Sequence, residues 1–154
     1  MTIKMNDISA KVSIYENQLR AAFNAKYLSV DYVVGVANAT DALALSMSCL
    51  LDGRESSKIA TVANAGFYTA TAALSIDAEV LYMDVDPSTH QVTVKHIQAA
   101  IEQGADVVVV THLYGFAVPE IEKISELCRL NGVSLLEDCS QAHGAMVNGR
   151  KVGS

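Results

Sequence analysis

Asp106-Val107-Val108-Val109-Val110-Thr111 sets four valines in a row. A strand with one face in water alternates apolar with polar residues. An unbroken β-branched run therefore predicts an inner strand of a parallel sheet, covered by helices on both faces. On its amino side, Thr93 is placed to cap a helix that reaches Gln103 and is closed by Gly104. On its carboxyl side, Pro119 suits the first turn of a helix running to Asn131-Gly132, and Val133-Ser134-Leu135-Leu136-Glu137-Asp138 reads as the next strand. Asp138 thus stands where a buried strand stops, at the sheet edge where open α/β folds bind their ligands.

The same alternation extends toward the amino terminus. Residues 58–62 and 79–83 read as strands around a helix over residues 68–75, entered through the turn Asn64-Ala65-Gly66. Before them, residues 32–37 read as a short strand, Asn38-Ala39-Thr40-Asp41 as a polar turn, and residues 42–51 as a helix stopped by Asp52-Gly53. Ile8, Val12, Tyr15, Leu19, Ala22 and Phe23 keep helical spacing behind an Asn6/Asp7 cap. In the tail, Asn148-Gly149 between short extended arms is a hairpin signal. Five predicted strands alternating with helices imply an α/β fold of three layers, α/β/α, with a mostly parallel sheet and a short carboxyl-terminal hairpin. No linker or repeat interrupts residues 1–154, so a single domain is expected.

Composition narrows the function. A net charge of -6 and a pI near 5.1, with no run of five basic residues, exclude a basic nucleic-acid footprint. The three cysteines, Cys49, Cys128 and Cys139, show no CxxC spacing, which points to reduced thiols and a cytoplasmic location. No apolar stretch has the length of an export signal core or a membrane span.

The candidate chemistry gathers at one sheet edge. Asn38-Ala39-Thr40-Asp41 lies between a strand end and a helix start, where free N–H groups favour an anion such as phosphate, although ordinary capping by Asn38 or Thr40 explains the same residues. Neither GxGxxG nor GxxxxGK[ST] is present, which removes support for dinucleotide and Walker-type nucleotide binding. Tyr68 opens a helix at the same edge and offers a flat face to a planar ligand, or is a packed core ring. His112, Tyr114, Asp138, Cys139 and His143 gather there too, but without the spacing of a metal site or of a cysteine nucleophile, so no metal is assigned. A phosphate cradle, a stacking ring and a carboxylate for a pyridine nitrogen are together what pyridoxal phosphate requires.

From about residue 14 onward the sequence resembles the DegT/DnrJ/StrS family of pyridoxal-phosphate-dependent sugar aminotransferases. Asn38-Ala39-Thr40-Asp41-Ala42-Leu43 is similar to the family's [SN]-G-T-x-A-L phosphate loop, and Val62-Ala63-Asn64-Ala65-Gly66-Phe67-Tyr68-Thr69-Ala70-Thr71 to its second-strand loop. Asp84-Val85-Asp86-Pro87, His112-Leu113-Tyr114-Gly115 and Glu137-Asp138-Cys139-Ser140-Gln141-Ala142-His143-Gly144-Ala145 follow in family order. The resemblance implies a partial large domain of the fold type I transferases with about five of its strands. It also implies that Ala39 and Thr40 bind the cofactor phosphate, that Tyr68 stacks on the ring, that Asp138 pairs with the pyridine nitrogen, and that Gln141 approaches the 3-hydroxyl. The activity implied is transfer of an amino group from a glutamate-like donor to a keto-sugar nucleotide.

Two departures from the family pattern carry expectations. Ala39 replaces a glycine, so its methyl group is expected to crowd the phosphate or to forbid a positive φ. In the family, the sequence seen here as Gly149-Arg150-Lys151-Val152-Gly153-Ser154 precedes a further strand and the lysine that holds the cofactor covalently; none of the lysines here, Lys4, Lys11, Lys26, Lys58, Lys95, Lys123 and Lys151, has the S-F-x-P-x-K context of that residue. The expectation is a truncated large domain, inactive alone, that works as an oligomer or beside a chain supplying the missing half. A small flavodoxin-like domain binding a phosphorylated ligand without catalysis, and a folded remnant or partner module of a split enzyme, remain open. Cysteine desulfurases share an Asp-x-x-Gln but generally carry a histidine at the position of Tyr68, and rank lower.

Overall fold

The computed structural model describes residue 27, residues 30–54 and residues 57–154. Residues 37–153 form one compact unit, which contains every element discussed below, while the described residues before 37 and Ser154 belong to another. The amphipathic helix expected over residues 8–23 lies outside the described residues.

The elements alternate as the valine run requires: α1 (Ala39–Leu51), β1 (Lys58–Val62), α2 (Tyr68–Ser75), β2 (Glu79–Met83), α3 (Val94–Glu102), β3 (Val107–Thr111), α4 (Ile121–Leu130) and β4 (Ser134–Asp138). The strands form one sheet in the order β2-β1-β3-β4, with every pairing parallel. A separate antiparallel hairpin, β5 (Met146–Val147) and β6 (Arg150–Lys151), turns through Asn148 and Gly149 at φ 51 and 80. Both central residues of a two-residue type I′ turn need positive φ, which is why Asn-Gly serves there.

β3 is buried from end to end because it lies between two strands and two helical layers. Val108 and Val110 pack with Ile97 and Ala100 of α3 and Ile121, Ile124 and Cys128 of α4. Val107 and Val109 face the other way, into Leu43, Met47 and Leu51 of α1 and Ala72 and Ala73 of α2. Alternate residues of a strand point to opposite faces, so an uninterrupted apolar run is the only sequence that satisfies both layers. Burying each large side chain here contributes about 1.5–3 kcal/mol.

Three expectations need correction. Residues 32–37 join no ladder among the described residues, where the parallel sheet has four strands and not five. Extended backbone becomes a strand only by hydrogen bonding to a neighbour, and here Tyr32 and Val34 are exposed and Gly35 weakens the segment. In addition, α1 begins at Ala39, three residues before the expected start at residue 42. Asn38 has extended backbone (φ -159, ψ 170), and its side-chain oxygen accepts the Asp41 N–H at 2.9 Å. The apparent polar turn is therefore a cap and a first helical turn. Pro119 lies in the turn just ahead of α4 instead of within it.

Candidate functional site

Helix direction brings the candidate residues to one edge. Just past the end of α1, Arg54 pairs with Asp106 at 3.2 Å, and the other Asp106 oxygen accepts the Lys58 N–H at 2.9 Å. Those contacts fix the carboxyl end of α1 at the amino edge of the sheet, beside the starts of β1 and β3. The helix start at Ala39 and Thr40 therefore lies at the carboxyl edge. Tyr68 reaches that edge through the loop after β1, and Asp138 is the last residue of β4.

They also share a face. α1 and α2 pack on the side defined by Val107, Val109 and Leu136, and Asp138, two residues beyond Leu136, falls on that same side. β1 and β4 are two strand spacings apart, roughly 10 Å.

Each group retains unused bonding capacity. At the start of α1, Asp41 N–H donates to the Asn38 side chain and Ala42 N–H to the Asn38 carbonyl at 3.1 Å. The Ala39 and Thr40 N–H groups have no acceptor among the described residues. Unclaimed N–H groups at a helix start are an anion cradle. The Asp41 carboxylate stands beside this cradle, held by the Asn38 amide at 2.8 Å. Ala39 is helical and absent from the positive-φ residues, so the expected conformational penalty of losing glycine there does not arise.

The Asp138 carboxylate is half committed. Its Oδ1 accepts both the N–H (3.0 Å) and the hydroxyl (2.6 Å) of Ser140, and among the described residues no donor reaches Oδ2. Asp138 backbone oxygen accepts the His112 N–H at 3.0 Å, extending the β3–β4 ladder to the edge. Gln141 is fixed at its other end: Oε1 accepts the Tyr114 N–H at 3.3 Å, which leaves the amide NH₂ to donate outward. Tyr114 holds φ 57 in a turn with Gly115 at φ 84, closed by Phe116 N–H to Leu113 oxygen at 3.0 Å. Left-handed backbone at a bulky residue stores strain of about 1–3 kcal/mol, of a kind that collects at ligand sites.

Tyr68 folds back over Gly66. A Cβ built on Gly66 would lie 2.7 Å from the ring, and the Tyr68 N–H donates to the Gly66 oxygen at 2.7 Å. Glycine at 66 is what permits this close approach. The ring is 65% exposed, so it is a surface face at the edge and not a packed core ring. Asn64 supports the loop by donating from its amide to the His90 oxygen at 2.9 Å.

A second polar group lies on the opposite face of the same edge. His112 is fully buried; its Nδ1 accepts the Val118 N–H at 3.0 Å, so its proton is on Nε2, which donates to Glu137 Oε2 at 2.9 Å. The same oxygen accepts the Gly153 N–H at 3.1 Å. Burial pushes the Glu137 carboxyl up, but the His112 and Gly153 hydrogen bonds and the Arg150 charge outweigh it and hold it below the usual range. Cys139 Sγ lies near enough to make a three-donor group with ligand atoms within 4.8 Å of one another. Its chemistry argues against an ion: both His112 nitrogens are engaged, and burial, followed by the Glu137 and Asp138 charges, pushes the Cys139 thiol up to about 12. The same shift makes Cys139 a poor nucleophile.

Sequence reading did not single out Ser140, the Glu137–His112 pair or Thr111 as parts of this edge. Ser140 was findable, since Ser two residues after Asp is an Asx-turn pattern. The pair and Thr111 required strand register.

Residues 4–154 match the model of the DegT/DnrJ/EryC1/StrS aminotransferase family. A UDP-N-acetyl-3-dehydro-alpha-D-glucosamine 3-aminotransferase of Acidithiobacillus ferrooxidans is 35% identical over 143 residues, 92% of this chain and 38% of the relative. A dTDP-3-amino-3,4,6-trideoxy-alpha-D-glucose transaminase of Micromonospora megalomicea subsp. nigra is 33% identical over 84% of this chain and 34% of the relative. Among solved structures, an aminotransferase from Streptoalloteichus hindustanus aligns with a TM-score of 0.79 at 28% identity, over 99% of this chain and 44% of that one. The chain spans about a third of the length of the curated relatives it matches. The family model covers nearly the whole sequence, and the chain belongs to the DegT/DnrJ/EryC1/StrS aminotransferase family.

Proposed function

We propose that this chain is the cofactor-binding part of a pyridoxal-phosphate-dependent aminotransferase acting on a keto sugar or keto cyclitol, with a glutamate-like amino donor. The observation that carries the reading is the combination, on one face of one sheet edge, of two unclaimed helix N–H groups, an exposed ring and a carboxylate with one oxygen unused. Bound there, pyridoxal phosphate would supply a ring that accepts the electron pair left when a bond to the substrate Cα breaks.

The chain's own groups then have distinct tasks. The Ala39 and Thr40 N–H groups and the Thr40 hydroxyl hold the phosphate, which the positive end of α1 favours. Asp138, anchored by Ser140 through Oδ1, presents Oδ2 to the pyridine nitrogen; an ionised carboxylate keeps that nitrogen protonated. Gln141, oriented by the Tyr114 N–H, donates its amide to the 3-oxygen. Tyr68 covers one ring face and excludes water from it.

Relatives include an L-glutamine:scyllo-inosose aminotransferase of Streptomyces griseus, 31% identical over 91% of this chain, which supports a polyhydroxylated keto substrate. No lysine of the sequence stands in the context of the family's covalent lysine, so residues 1–154 by themselves would bind the cofactor without turning it over. A single cofactor domain, completed by further polypeptide or by a second copy, fits this reading. Three free cysteines suit a cytoplasmic setting, and no helix among the described residues is long and apolar enough to cross a membrane.

The test supplies pyridoxal phosphate, glutamate and a keto-sugar nucleotide to the 154-residue polypeptide, with and without the rest of an aminotransferase chain, and follows 2-oxo acid release. Release only in the completed protein supports the proposal. Sustained release by the 154 residues alone, or none in either case with any keto substrate, contradicts it.

A further inference from the structure

We propose that Thr111 is a positioning residue for Asp138, its hydroxyl donating to the carboxylate when the cofactor's pyridine nitrogen engages it; this rests on the cofactor reading given above. Thr111 ends β3, is 9% exposed, and its Oγ1 has no hydrogen-bond partner among the described residues. A buried hydroxyl without a partner is a net cost to the fold, and valine has nearly the same shape without that cost. The four residues before it are valine, so the strand accepts that side chain readily.

Register says what the hydroxyl is beside. Thr111 and Asp138 are paired residues of the parallel β3–β4 ladder, whose neighbouring strands run about 4.8 Å apart. Thr111 shares the side of Val107 and Val109, and Asp138 the side of Leu136, so both side chains lie on the α1/α2 face. The carboxylate is held by Ser140 at Oδ1 alone, leaving Oδ2 as the oxygen a second donor can reach. Thr61, the other buried hydroxyl without a partner among the described residues, lies on the same face but level with Val109 and Leu136, where no carboxylate is adjacent.

The chemical consequence is directional. A hydroxyl donor to an ionised carboxylate stabilises the charged form, and an ionised Asp138 in turn stabilises a protonated pyridine nitrogen. Thr111 would thus act on the cofactor only through Asp138, and its contribution should vanish for a ligand whose ring has no nitrogen to protonate.

The experiment measures dissociation constants by equilibrium dialysis for pyridoxal phosphate and for its 1-deaza analogue, in which a ring CH replaces the nitrogen. The proteins are wild type, Thr111→Val, Thr111→Ser and Asp138→Ala. The expected result is that Thr111→Val weakens pyridoxal phosphate about tenfold. It should leave the deaza analogue unchanged and not lower the melting temperature of the unliganded protein. Thr111→Ser should stay within about twofold of wild type, since it keeps the donor. Equal loss of both ligands in Thr111→Val, or no loss of either while Asp138→Ala still weakens pyridoxal phosphate, overturns the role of Thr111 and leaves the cofactor reading standing. If wild type neither prefers pyridoxal phosphate over the analogue nor responds to Asp138→Ala, the cofactor reading fails and this inference with it.

Discussion

Glu137 gives the sharpest test of how the site edge is held. Its Oε2 accepts from His112 Nε2 at 2.9 Å and from Gly153 N at 3.1 Å, and His112 is fully buried. Glu137→Leu leaves the His112 N–H without a partner, costing about 1–3 kcal/mol, and loses the Gly153 bond, about 0.5–1.5 kcal/mol, partly recovered because Gly153 meets water. The expected total is about 2–4 kcal/mol at neutral pH. Glu137→Gln keeps one carbonyl oxygen able to accept both bonds and loses only their charge assistance, about 1–1.5 kcal/mol. The pH dependence has a definite sign. The folded Glu137 carboxyl is depressed, so its contribution is complete above the ordinary glutamate range and is lost as pH falls through the folded value. The gap between wild type and Glu137→Gln should therefore narrow from about pH 5 downward. Urea unfolding of the three proteins at pH 7, 5 and 4 measures it. A glutamine variant less stable than the leucine one, or a glutamine penalty that stays constant or grows toward acid, would show that the Glu137 charge does not hold this edge.

Two further variants probe other parts of the same sheet edge. Gly153 has φ 73, and a Cβ there would meet Cys139 Sγ at 2.9 Å. Gly153→Ala should cost about 2–3 kcal/mol in urea unfolding, of which only the steric part, about 1 kcal/mol, is recovered in a Cys139→Ala background; full recovery would show that the backbone is not strained. Asp41 places a negative charge beside the unclaimed N–H groups of α1. Asp41→Asn should tighten phosphate-ligand binding about two- to fivefold at low salt, fading as salt rises, while lowering the stability of the free protein by about 0.3–1 kcal/mol; weaker binding in the variant would place the anion elsewhere.

The parts of this fold that sequence discloses are those set by local periodicity. The valine run, the strands at 58–62 and 79–83 and the helix at 68–75 lie where their patterns put them, because each pattern is decided by which faces are buried. Asp138 was legible as the polar residue that ends a strand, although β4 is half-buried along its length and not buried as the pattern implied. Residues 32–37 misled because strand propensity does not provide a hydrogen-bonding neighbour. The start of α1 was misplaced because Asn and Asp suit turns and helix caps alike, and only the Asn38 side-chain bond distinguishes them. Thr111 and the Glu137–His112 pair were not legible, since each depends on the residue opposite it in a ladder whose register comes from packing the whole sheet.

Asp138 and the start of α1 are proposed to serve one bound pyridoxal phosphate. The most direct measurement is titration of the protein with pyridoxal phosphate, followed by the cofactor's absorbance, for wild type, Asp138→Asn and Thr40→Val. The expected result is saturable binding, weakened by each substitution, with only Asp138→Asn altering the pH dependence of the bound spectrum. Binding that is indifferent to both residues, or no saturable binding at all, would contradict it.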